Sequence, residues 1–227
     1  MPVATLPRPL TPANLHSPIY VFWDNSNVFI SAKSVASQNE GRYGAPHIRI
    51  EFEHLFDLAR AGRSVVTAIC VGSVPPQLAT VWDRLEKTGI RVEKYERGQF
   101  SGREQGVDQC LQLWMLRALA DAPKPATAVL LTGDGKGYED GVGFRADLER
   151  LHSRGWGIEV VAWEKSCARR LREWAGEVGV FVRLEDHYSA VTFLEEGRRR
   201  AKIVDLSLRK IADPTGWSPP EETEGAA

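Results

Sequence analysis

Three aspartates in this chain stand where a carboxylate could do chemistry. Asp24 ends an apolar run, Ile19-Tyr-Val-Phe-Trp23, and is followed by Asn25, Ser26 and Asn27. Asp108 comes second in a long apolar segment opened by Gly106 and Val107. Asp134 follows a β-branched run, Ala128-Val-Leu-Leu131, through Thr132 and Gly133. Three carboxylates at one rim repel one another unless a cation sits between them. Oxygen ligands at a partly open site suit Mg²⁺ or Mn²⁺, which keep waters for a substrate phosphate. Such an ion orients an attacking water and offsets the charge developing on phosphorus. Read singly, each acid is instead a turn or helix cap, with Asp24 bonding the next turn alongside Asn25 and Asn27.

Which reading holds depends on the elements that carry the acids. Ile19 to Trp23 is short, β-branched and aromatic, bounded by Pro18 and apolar on both faces, which predicts a central parallel strand. In open α/β sheets ligands bind beyond the carboxyl ends of such strands. Further strands are predicted at 65–71, 90–94, 128–131 and 158–163, with a short sixth at 180–182. Between them, Phe52, Leu55, Phe56 and Ala59 follow helical spacing up to Gly62. Pro75 and Pro76 open a helix carrying Leu78, Val81, Trp82 and Leu85. Val107 to Ala120 is apolar nearly all round, which predicts a largely buried helix. Phe144, Leu148 and Leu151 mark another helix before Gly155, and Ser166 is placed to cap one carrying Leu171 and Trp174. Residues 28–47 read as a polar connection with at most a short helix at Val28-Phe29-Ile30.

This alternation predicts an α/β fold: a single domain with a central parallel sheet flanked by helices, without internal boundary or repeat. The expected organisation is a flexible arm over 1–17, the domain over 18–185, a helical and basic extension over 186–212 and a disordered tail over 213–227. If the first and fourth strands are neighbours, the three acids converge on one crevice.

Composition narrows the partners. The chain has 227 residues, 43% of them hydrophobic, with net charge -1. No global basic field draws in a phosphate backbone, so any nucleic-acid surface must be local. Cys70, Cys110 and Cys167 lack metal-ligand spacing and read as free thiols of a reducing compartment. No apolar run is long enough for a membrane span, and residues 1–17 lack the apolar core of a signal peptide. A cytoplasmic protein with no membrane partner is the expectation.

Taken in order, Trp23-Asp24-Asn25-Ser26-Asn27, Gly106-Val107-Asp108 and Thr132-Gly133-Asp134 resemble the motifs of NYN domains, part of the PIN-like ribonuclease superfamily. The resemblance spans about residues 18–185. It implies a Rossmann-like, PIN-like fold and metal-dependent hydrolysis of RNA, endonucleolytic in type, with Mg²⁺ or Mn²⁺ on Asp24, Asp108 and Asp134. Asp140, or Glu139, would supply a fourth acid by folding back. Asn27 would orient a water or a phosphate oxygen, and Arg103 and Lys136 would meet the RNA backbone.

Two positions depart from the pattern. Trp114 stands six residues after Asp108, and Lys136 two after Asp134, where family members often carry aspartate. Gln112, one turn after Asp108, could hydrogen-bond a water at the ion. These departures keep two alternatives open: an RNA-binding module that lost the chemistry, and a phosphatase or nucleotide-processing enzyme using the same acids. Homo-oligomerisation is left open as well. The loop from Tyr95 to Gln105 interleaves Tyr95 and Phe100 with Arg97 and Arg103, either to stack bases or as a plain solvated loop. Gly133 to Gly137 lacks the Walker spacing and reads as an active-site loop.

Overall fold

A computed structural model describes residues 8–9, 16–73, 79–95, 106–133 and 141–215. Strand Arg8–Pro9 (β1) precedes Ile19–Asp24 (β2), helix Asn25–Asn39 (α1), the single turn Gly41–Gly44 (α2), Ile48–Ile50 (β3) and Phe52–Arg60 (α3). Then come Val65–Ser73 (β4), Ala79–Lys87 (α4), Arg91–Tyr95 (β5), Val107–Asp121 (α5), Thr127–Thr132 (β6) and Phe144–Ser153 (α6). Gly157–Ala162 (β7), Arg169–Val178 (α7), Val180–Arg183 (β8), Tyr188–Val191 (α8), Thr192–Leu194 (β9) and Lys210–Ile211 (β10) complete the order.

Six strands form one parallel sheet in the order β5-β4-β2-β6-β7-β8. The chain runs outward from β2 through β4 to the β5 edge, then returns to lay β6 on the other side of β2. That reversal makes the carboxyl end of β2 a topological switch point, where α/β sheets open a crevice. Strands β2, β6 and β7 are buried along their whole lengths, because helices cover both faces. On one face Ile19, Val21 and Trp23 pack with Val28 and Val35 of α1, Leu55 and Leu58 of α3, and Trp82 and Leu85 of α4. On the other, Tyr20 and Phe22 pack with Val107, Leu111 and Met115 of α5, Leu148 of α6 and Leu171 of α7.

The segment after β8 is part of this packing. Strand β9 pairs antiparallel with β3, and β10 with β1. Arg209 is buried on Glu159 of β7, and the Thr215 amide donates to Gly155 O at 2.7 Å. No helix among the described residues is long and apolar enough to cross a membrane.

Three elements differ from their sequence reading. The polar connection is mostly α1, fifteen residues long. Its buried side includes Asn25, Ser26 and Ser31 beside Val28, Ala32, Val35 and Ala36, so polarity conceals the helical stripe. Helix α5 buries only Val107, Leu111, Met115 and Ala118, while Leu113 and Leu116 are 47% and 42% exposed. It is an outer-layer helix with nothing packed beyond it among the described residues, so only one stripe faces the sheet. Ser166 does not cap α7: the cap position is Ala168, without a side-chain bond, because the Ser166 hydroxyl is directed to Gly133 O. The proline-opened start of α4 at Pro75 and Pro76 lies outside the described residues.

Candidate functional site

Alternation along β2 decides where Asp24 looks. Trp23 belongs to the α1 side and Phe22 to the α5 side, so Asp24 continues the Phe22 side. On β6, Leu130 belongs to the α5 side and Leu131 to the other, so Thr132 falls with Leu130. The two strands pair in parallel up to Trp23 and Leu131. Asp24 and Thr132 are therefore the next residues on adjacent strands and share a face.

Helix α5 packs on β2 and β4 from that face. It connects two parallel strands, so it runs against them and begins at their carboxyl end. Asp108, in its first turn and exposed, thus stands at the same rim as Asp24. Gly106 makes this start possible. Its φ is +94°, and a Cβ there would lie 3.0 Å from the Tyr95 ring.

Asp24 is 0% exposed and is the N-cap of α1. Its Oδ1 accepts from the Asn27 amide at 3.1 Å, and its Oδ2 from Asn27 Nδ2 at 2.5 Å. The cap reading and the ligand reading are therefore compatible: the bonds that finish α1 also fix the carboxylate in the crevice. Burial, with the Asp24 charge adding to it, pushes the neighbouring Cys70 thiol well above its usual range, so this cysteine stays protonated and inert.

The donor set suits a hydrated divalent cation. Beside the carboxylate, Thr132 Oγ1 is buried at the end of β6 without a hydrogen-bond partner, as is Asn25 Oδ1. Buried polar atoms are nearly always bonded, and such oxygens are what an ion's waters or a phosphate would satisfy. Sequence reasoning gave neither atom a role; the signal available was a hydroxyl at a strand end beside the acid motif. Asp134, Asp140, Glu139, Lys136 and Arg103 lie outside the described residues. Among the described residues no three His, Cys, Asp or Glu side chains gather into a metal-holding group.

Trp114 turns out not to face the Asp108 side. Six helical residues carry it about 9 Å along α5 and about 120° around from Asp108. There Arg91 of β5 and Arg117 stack on its ring, 4.7 and 5.0 Å from the centroid. Gln112, half-buried one turn from Asp108, is the nearer polar group on that flank.

The sequence model of the NYN domain matches residues 18–179. The chain belongs to the NYN domain family. The NYN domains are part of the PIN-like superfamily, and the span matched contains Asp24, Asp108 and Asp134. Among solved structures, this NYN domain is similar to a protein of unknown function from Vibrio parahaemolyticus. The two are 17% identical with a TM-score of 0.53, over 78% of this chain and 98% of that one, a likeness of fold. No curated protein matches the sequence.

In this NYN domain the glycine of Thr132-Gly133-Asp134 has a packing reason. A Cβ at Gly133 would sit 2.0 Å from Asn27 O and 2.6 Å from Ser31 Oγ, inside the first turns of α1. Gly133→Ala must push β6 away from the Asn27 turn that holds Asp24. We expect a loss of about 1–3 kcal/mol in urea unfolding. Wild-type stability would show that the two segments separate easily.

Proposed function

We propose that this NYN domain is a divalent-metal-dependent ribonuclease of endonuclease type. The observation that carries the reading is Asp24, buried at the switch point and locked by Asn27 beside Thr132. Membership in a PIN-like nuclease family supports it. Asp24, Asp108 and Asp134 would hold Mg²⁺ or Mn²⁺, with Asp140 as a fourth ligand. Bound there, the ion would lower the pKa of a water and offset negative charge on phosphorus. Asn27 keeps Asp24 ionised and oriented, because both of its bonds go to carboxylate oxygens. Thr132 Oγ1 would donate to a water or phosphate oxygen, and Lys136 and Arg103 would meet the RNA backbone.

Asp108→Asn tests the reading. The substitution keeps the shape and removes one of several like charges, so the variant should be at least as heat-stable as wild type in EDTA. Mn²⁺ at about 100 times its Kd should stabilise wild type by about 2.7 kcal/mol, several degrees in Tm, and the variant much less. Cleavage of labelled RNA should be lost. A variant less stable in EDTA with an unchanged Mn²⁺ shift would make Asp108 a structural cap. RNA retained on a gel without cleavage in any metal would favour a binding module.

A further inference from the structure

We propose that Ser166 is a positioning residue that fixes the direction in which the chain leaves β6 toward Asp134. The inference rests on the reading of Asp134 as a site acid. Ser166 lies in the loop after β7, and its Oγ donates to Gly133 O at 2.6 Å. Trp163 O is also within reach, at 3.3 Å. A serine has one hydroxyl proton, and the shorter contact takes it.

The acceptor matters because of what it is bonded to. Gly133 O belongs to the peptide whose nitrogen is that of Asp134. The peptide is planar, so holding that carbonyl sets the plane from which the Asp134 backbone departs. The other side of Gly133 is closed by α1, with the Asn27 carbonyl and Ser31 Oγ where a Cβ would be. One residue before the acid, the chain is thus gripped between α1 and the β7 loop.

The loop that supplies the hydroxyl is itself held in place. Trp163 Nε1 donates to Val28 O of α1 at 3.0 Å, a buried bond. The Glu185 carboxylate accepts from the Glu164 and Lys165 amides at 2.9 and 3.2 Å. The Ser166 and Cys167 amides both turn back to Trp163 O. A chain of bonds therefore runs from the segment after β8, through Ser166, to the peptide of Asp134, and the same loop is tied to the helix that Asp24 caps. A group of this kind acts on the chemistry through geometry, where errors near 1 Å are costly.

Ser166→Ala deletes the hydroxyl alone, and Ser166→Thr retains it. Hydrogen exchange in EDTA of a peptide covering residues 132–137 reads the grip directly. Mn²⁺ titration of RNA cleavage and of Tm reads its effect on the acids. We expect faster exchange in the alanine variant and a half-saturating Mn²⁺ concentration raised about tenfold. KM for RNA should stay unchanged, and the threonine variant should behave as wild type. Unchanged exchange in Ser166→Ala would overturn the proposal, as would faster exchange with an unaltered Mn²⁺ requirement. Should wild type neither bind Mn²⁺ nor cut RNA, faster exchange would still uphold the grip by Ser166, and the ribonuclease reading alone would fall.

Discussion

Asp24→Asn should abolish Mn²⁺-dependent RNA cleavage and leave a folded protein. The asparagine oxygen still accepts from the Asn27 amide, so the cap of α1 survives. The second contact changes character. Asn27 Nδ2 donates to Asp24 Oδ2 at 2.5 Å, and an amide nitrogen there would face another. Asn27 can relieve this by turning its amide over to present oxygen. The net cost is about 1 kcal/mol, which in a chain of this size lowers Tm by about 2–4 °C. The effect on chemistry is far larger. Losing a group that only orients a metal ligand costs about 10–100-fold in affinity or activity, so losing a ligand's charge should exceed about 100-fold. Calorimetry and a labelled-RNA assay on the same preparation separate the two effects. Half of wild-type cleavage in Asp24→Asn would remove Asp24 from the site.

The strands that carry Asp24 and Thr132 were legible because β-branched runs buried on both faces have few other uses. Their adjacency was legible only as a condition, since nothing local in either run says which strands pair. Helix α1 was missed because its buried side includes asparagine and serines, which hydropathy periodicity reads as surface. Trp114 misled in the opposite direction. Spacing from Asp108 suggested a lost ligand, yet helical geometry turns position 114 toward Arg91. Ser166 looked like a cap because serine before a helical run usually is one. Its partner lies thirty-three positions earlier in the chain, beyond any local pattern. Gly133 shows the same limit: the motif was visible, but its need for glycine comes from α1 backbone brought close by the fold.

Glu159→Gln should be the most destabilising conservative change in the molecule, about 3–5 kcal/mol by urea unfolding at pH 7. Glu159 stands in β7, a strand buried throughout, and its side chain is 0% exposed. Its Oε1 accepts from Arg63 Nη1 at 2.7 Å and the Ala212 amide at 2.9 Å. Its Oε2 accepts from Arg63 Nη2 at 2.8 Å and Arg209 Nη2 at 2.5 Å. Both arginine side chains are fully buried as well. Glutamine would leave two guanidinium charges in the core without this carboxylate. Arg209→Met should cost less, about 1–2 kcal/mol, because Glu159 keeps its two-pronged pair with Arg63 and the main losses are bonds to Leu58 O and Ala59 O. Acid should expose the same charge balance. Burial by itself would raise the Glu159 pKa, but Arg209 and Arg63 outweigh it and hold the carboxyl below its usual range. A folded pKa below the unfolded value, about 4.3, gives stability that is complete above that value and lost as pH falls through the folded one. Wild-type Tm should therefore drop steeply below about pH 4, and Glu159→Gln, lacking the titrating group, should show a shallower fall there. An Arg209→Met protein as unstable as Glu159→Gln would mean that both arginines are needed to hold the carboxylate, and that β7 depends on residues past the matched NYN span for its charge balance.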